Sequence, residues 1–222
     1  MYHLQHKGDN SGGISHVELA YNTVTGDVTV RLAELISTDS YDRLADDPIV
    51  EDLLEKYDEE ISQSRIVLGY NASRRKSDWL RQKVADLYLE AGLEKWGGEY
   101  DIVLGGGFIS VRNPYELAKG DVTYGMLQSL FPFDNELVLC SVSGKNLKSK
   151  FFESTHYAYF ISYGQYGEEV KANIDPNGTY YVIVDTYTST YAPNGLTEIA
   201  RYTPGVYARD LLADYISQGG IR

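Results

Sequence analysis

The stretch YDIVLGGGFISVR, residues 100–112, decides the fold. An apolar run over 100–104 reads as a buried strand, and three consecutive glycines follow it. Two readings of the glycines stand side by side. One is a tight strand-to-loop turn. The other is a loop whose backbone lies against a ligand, because glycine has no Cβ to block the approach and adopts positive φ freely.

Outward from this point, strands and helices interleave. RIVLGY (65–70) reads as a short strand. SDWLRQKVADLYLEAG (77–92) reads as an amphipathic helix, with Leu80, Val84, Leu87, Tyr88 and Ala91 on one face and Gly92 as its stop. VTYGMLQSLF (122–131) is a short helix capped by Thr123, and ELVLCSV (136–142) a strand. GKNLKSKFFEST (144–155) is a helix, NGTYYVIVD (177–185) a turn and a buried strand, and TPGVYARDLLADYISQGG (203–220) a final helix. This alternation predicts an α/β (α+β) fold, with a mixed β-sheet and flanking helices. Ahead of it, ISHVELAYNTVTGDVTVRLAELI (14–36) alternates on both sides of NTVTG and predicts a β-hairpin. DDPIVEDLLEKYDEEI (46–61) predicts a linker helix, with Asp47 as cap, Pro48 in the first turn, and Ile49, Leu53, Tyr57 and Ile61 on one stripe.

Composition narrows the function classes. The chain has 222 residues, 43% of them hydrophobic, which suffices for one sizeable core. Its 32 acidic against 20 basic residues give a net charge of −12, which disfavours a nucleic-acid polymer or an anionic membrane as partner. No apolar run approaches the roughly 20 residues of a membrane span. The opening MYHLQHKGDN has no apolar stretch and does not read as a signal peptide. Cys140 is the single cysteine and lies in an apolar strand, so it reads as core and not as a nucleophile. The 20 tyrosines read mainly as core edge and surface cover, with some available to line a cleft.

No catalytic constellation is written in these residues. His3 and His6 stand three apart near Asp9 and Asn10, but this pattern lacks the further ligands of a metal site and reads as a loose terminus. H-E-x-x-H, G-x-S-x-G and P-loop motifs are absent, and GQYG (164–167) reads as a loop.

Three pieces in fixed order carry more information: NASRRKSDWLRQKVADLYLEAG (71–92), the triple-glycine segment running through GDVT, FPFDN and LVLCSVSGKNL (104–148), and YYVIVDTYTSTYAPNGLTEIARY (180–202). Together they resemble the C-terminal, substrate-specificity domain of the 5'-nucleotidase and 2',3'-cyclic-nucleotide phosphodiesterase family. That family carries an arginine before a helix, then NGGGIR, G-x-[IV]-T, LPF-x-N, a strand and G-x-x-L. The resemblance covers residues 65–222. It also covers the front end: residues 1–45 resemble the closing hairpin of the family's metallophosphatase domain, and residues 46–64 its linker helix. The family's metal motifs, D-x-H, G-D-x-x-D, G-N-H and G-H-x-H, are absent from the chain.

The resemblance implies a nucleoside or nucleotide as small-molecule ligand, held while a preceding domain with two divalent metal ions hydrolyses the phosphate ester. In this chain it implies no catalytic residue, no metal site and no cofactor. It implies an extracellular, cell-surface or periplasmic location for the full-length protein. Carried over by position, Arg74 is the nucleoside-binding arginine, with Arg75 its neighbour. Gly105, Gly106 and Gly107 form the floor of the base site. Phe133 is the first stacking ring, with Tyr187 the second and Tyr191 the alternative. Three positions depart from the pattern. Leu104 and Ile109 replace the asparagine and arginine that flank the glycines, leaving Arg112 as the substitute cation. APNG (192–195) replaces GGDG, with Asn194 nearest to the ribose-binding aspartate. The departures leave a second reading open, a non-catalytic binding or structural module with a decayed pocket.

Overall fold

The computed structural model describes residues 13–37, 47–112, 114–153, 159–191 and 195–221. The chain divides into two compact units, residues 1–60 and 61–222.

In the first unit, β1 (Gly13–Tyr21) and β2 (Val28–Ser37) form an antiparallel hairpin, paired from Gly13↔Ser37 to Tyr21↔Val28 with a bulge after Glu18. Asn22 Oδ1 accepts the Val24 N–H at 2.9 Å, and Gly26 takes the positive φ (78°) that closes the turn. His16 and Glu34, opposite one another in the register, meet through Nδ1 and Oε1 at 3.0 Å. Helix α1 (Pro48–Glu55) starts where the sequence places it, with Asp47 Oδ1 accepting the Ile49 N–H at 2.8 Å. The helix predicted to run on to residue 61 breaks at Lys56 and Tyr57 and resumes as α2 (Asp58–Ser64).

The second unit is built on a five-stranded mixed sheet. After β3 (Val67–Asn71) and β4 (Arg75–Lys76), helix α3 (Ser77–Trp96) leads into the buried strand β5 (Ile102–Gly107). β6 (Glu116–Leu117) and β7 (Gly120–Thr123) pair back with β4 and β3, respectively. Helix α4 (Tyr124–Leu130) begins at Thr123, whose hydroxyl accepts the Met126 N–H. β8 (Leu137–Ser143) runs into α5 (Gly144–Asn146) and a π-helical turn, Leu147–Phe152. There follow β9 (Phe160–Ser162), α6 (Val170–Asn173), β10 (Thr179–Asp185), α7 (Thr186–Tyr191), β11 (Thr197–Arg201) and α8 (Ala208–Ser217).

The sheet order is β11-β8-β10-β5-β9. β10 and β5 are parallel, and the other three pairings are antiparallel. The central strands β5, β8 and β10 are apolar on both faces, as a sheet covered on both sides requires. Along β8, Leu137 and Leu139 join α3, α4 and α8 in one core, while Val138, Cys140 and Val142 join Leu147, Phe151 and Ile174 in the other. Among the described residues, no helix is long and apolar enough to cross a membrane.

Two glycine readings change. Gly92 does not stop α3: a Cβ there would stand 2.2 Å from Ile183 Cγ1, so the glycine lets the helix lie against the sheet. The triple glycine is not a turn but the end of strand β5. A Cβ on Gly105 would meet the Leu89 backbone at 2.6 Å, one on Gly106 the Phe160 carbonyl at 2.0 Å, and one on Gly107 the Thr188 hydroxyl at 2.5 Å. Gly106 and Gly107 also hold φ of 135° and 144°. The strand is squeezed by α3, β9 and α7 at once, and only glycine fits.

Candidate ligand-binding site

The parallel strands β5 and β10 send their carboxyl ends to the same side of the sheet, where open α/β sheets place their ligand crevices. A cleft of about 110 Å³ opens there. Phe108, Ile109, Ser110 and Arg112 line it from the segment after β5. Asp185 and Tyr187 come from the end of β10 and α7, Tyr88 from α3, and Phe131, Phe133 and Asn135 from the segment between α4 and β8.

Phe133 is 44% exposed, and the Arg112 guanidinium lies 4.9 Å from its ring centroid. Arg112 is itself anchored, its backbone N–H donating to the Leu130 carbonyl at 2.8 Å. The loop carrying Phe133 is held by Arg209, a buried side chain from α8. Its guanidinium donates to the carbonyls of Phe131 (3.5 Å) and Phe133 (3.3 Å), to Tyr124 Oη (3.3 Å) and to the Asp134 carboxylate. Tyr187 is 38% exposed and packs between two rings, Phe108 at 5.7 Å and Tyr191 at 5.3 Å between centroids.

At the depth of the cleft, Asp185 is 4% exposed. Its Oδ1 accepts the Thr188 N–H at 2.7 Å, and the Thr188 and Tyr88 hydroxyls are further partners. Desolvation raises its pKa above the usual carboxylate range, against the lowering effect of these donors. Burial, and then the Asp185 charge, push the Tyr88 hydroxyl well above its ordinary value. Cys140 sits at the middle of β8, and burial lifts its thiol to about 12, so it is no nucleophile.

Of the residues the sequence singles out, the structure brings Arg112, Phe133 and Tyr187 to the cleft, with Tyr191 behind Tyr187. Gly105, Gly106 and Gly107 do not line it; they are interior strand residues. Arg74 does not line it either. Its Nε donates to Glu116 Oε2 at 2.6 Å beside the β4–β6 pair, and Arg75 lies over the Trp79 ring at 4.7 Å. Asn194, with His3, His6 and His156, falls outside the described residues. Leu104 and Ile109 are buried. Sequence reasoning missed Phe108, which directly follows the glycines, and Asp185, the one acid that ends the apolar run YYVIV.

Against solved structures, a 5'-nucleotidase precursor from Thermus thermophilus matches over 96% of this chain and 48% of its own, at 16% identity and a TM-score of 0.60. The fold is that of the 5'-nucleotidases. A Staphylococcus aureus structure assigned as a 5'-nucleotidase, solved with α-ketoglutarate, matches over 93% of this chain and 48% of its own, at 17% identity and a TM-score of 0.55. The same fold serves other chemistry: the Thermus thermophilus sulfate thiohydrolase SoxB, solved with glycerol, matches at 14% identity and a TM-score of 0.55 over 95% of this chain and 43% of its own. The chain thus spans about half the length of these structures. No protein-family model and no curated protein matches it. Among the described residues, no three His, Cys, Asp or Glu side chains gather as a metal site.

Proposed function

We propose that the unit over residues 61–222 recognises a nucleoside or nucleotide, as the substrate-binding part of a phosphoric-ester hydrolase. The observation that carries this reading is the cleft with Phe133 and Tyr187 on its walls and Arg112 against the Phe133 ring, at the carboxyl ends of the two parallel strands. A flat base inserted against such rings gains roughly 1–3 kcal/mol per stacked contact. Residues 1–45 and the linker helix attach this unit to a preceding metal-bearing domain that performs hydrolysis, and the whole protein works outside the cytoplasm.

The test is a thermal-shift screen of this chain against nucleosides, nucleotides and nucleotide sugars, followed by calorimetry. A ligand at a hundred times its Kd adds about 2.7 kcal/mol to the folded state. No shift and no heat with any of the three classes would overturn the reading. One observation favours the alternative, a non-catalytic module: Tyr187 already packs on Phe108 and Tyr191, and Phe133 already carries Arg112. The same screen decides between them, since a pocket filled by its own side chains returns no ligand.

A further inference from the structure

Aromatic walls hold a base without choosing one, because every base has a π-face. A choice needs a polar group at the base edge, and one of the polar residues lining the cleft, Asp185, has no ligand role assigned. Asp185 is almost fully buried and lines the cleft. Its partners are the Thr188 N–H and the Thr188 and Tyr88 hydroxyls, all neutral groups, and among the described residues it makes no ion pair. A buried carboxylate without a counter-charge is costly.

A local role exists, since Asp185 precedes α7 and its Oδ1 takes the N–H three residues on, as a helix cap does. Capping accounts for an oxygen, and the N-terminus of a six-residue helix offsets only a small part of the cost of a buried charge. Asparagine or serine caps a helix about as well without the penalty of a buried anion. Capping also does not require the side chain to border a cleft walled by Phe108, Phe133 and Tyr187.

We propose that Asp185 reads the base edge. Its carboxylate attracts an exocyclic amino group, which donates, and repels a carbonyl at the same position, which presents a lone pair. The site then prefers amino-edged bases such as adenine and cytosine over their oxo counterparts, hypoxanthine and uracil. This rests on the nucleoside reading of the cleft.

Isothermal titration of the whole chain at pH 8 with adenosine, purine riboside and inosine, and with cytidine and uridine, tests it. Inosine and uridine also carry a ring N–H beside the carbonyl, so purine riboside, with neither amino nor oxo group at that carbon, isolates the amino contact. The expected order is adenosine above purine riboside above inosine, and cytidine above uridine, with tenfold or more between amino and oxo members, as for a hydrogen bond to a charged group. In Asp185→Asn the ratio collapses below about threefold or reverses, because the amide can turn a donor to the carbonyl. Circular dichroism checks that the variant folds. If it does not, Asp185→Ser keeps a capping oxygen and carries the same comparison. Equal binding of amino and oxo nucleosides by the unaltered chain overturns the proposal and leaves the nucleoside reading standing. A preference that survives in the variant also overturns it, since another group then reads the edge. Absence of binding by all five overturns both readings together.

Discussion

Replacing Phe133 by Ala separates a binding ring from a core ring. The structure sets both magnitudes. A wholly buried phenylalanine costs about 3–5 kcal/mol when cut to alanine. Phe133 leaves 44% of its surface in water, so its share is roughly 2 kcal/mol, with about 0.5–1 kcal/mol more for the Arg112 contact. For a unit of this size each kcal/mol moves Tm by about 2–4 °C, so a fall of about 4–12 °C is expected. Lost stacking costs about 1–3 kcal/mol of binding, or about 5- to 150-fold in Kd. Calorimetry with adenosine reads the second effect and denaturant melts the first. Phe151→Ala is the control: it is buried on the opposite side of the sheet, and should cost the full 3–5 kcal/mol of stability, to within about the usual spread, while leaving adenosine affinity unchanged. Should Phe133→Ala melt as Phe151→Ala does, or bind adenosine within about twofold of the unaltered chain, Phe133 is no stacking ring.

Arg209→Met removes the guanidinium that holds the Phe131 and Phe133 carbonyls and Asp134; a stability loss of about 2–4 kcal/mol in urea melts, with weaker adenosine binding, is expected. Gly106→Ala drives a Cβ into the Phe160 carbonyl at a φ of 135° and should abolish soluble expression, whereas Gly26→Ala, at a φ of 78° in open space, should cost about 1 kcal/mol. Asp185 binds its proton more tightly folded than unfolded, so between the ordinary carboxylate value near 3.8 and its raised folded value the native state holds more protons, and the group's contribution to stability falls as pH rises. Asp185→Asn should therefore flatten that part of the stability–pH curve, measured by guanidinium melts; an unchanged slope refutes the assignment. Purified residues 1–222 should not turn over a nucleotide or a generic phosphomonoester with added divalent metal, because no paired-metal motif is written in the chain.

The sheet is legible in the sequence because its central strands are short apolar runs. Helices α1 and α4 are legible by their caps, Asp47 and Thr123, whereas α3 and α8 start without a side-chain cap and are legible by their apolar faces. The failures share a physical cause. Gly92 and the triple glycine have the local signature of stops and turns, but their reason is tertiary: Ile183 against one, Leu89, Phe160 and Thr188 against the others. The tyrosine segment has no hydrophobic period, and it is the six-residue helix α7, started by Asp185. The pairing of Arg74 with Glu116, 42 residues away, leaves no mark in a local pattern either. Strands β9 and β11 are too short to show periodicity.

What the fold leaves open, the segments after the strands decide. A sulfate thiohydrolase shares this architecture, so the sheet alone does not choose a substrate. At the two positions where the resemblance expects an asparagine and an arginine beside the glycines, this chain has Leu104 and Ile109, and both are buried in the apolar cores. Under the nucleoside reading, polar contact to the ligand then comes from other places on the cleft wall. Arg112, Ser110 and Asn135 stand there, and Asp185 stands at its depth. Polar groups therefore stand at both strand ends, Ser110 and Arg112 after β5 and Asp185 at the end of β10. Because β5 and β10 are parallel neighbours, with Gly105 beside Ile183 in register, the two strand ends lie one strand spacing apart, about 4.8 Å, and border the same crevice. Under the same reading, the amino-versus-oxo comparison reads whether the end of β10 sets a preference among bases.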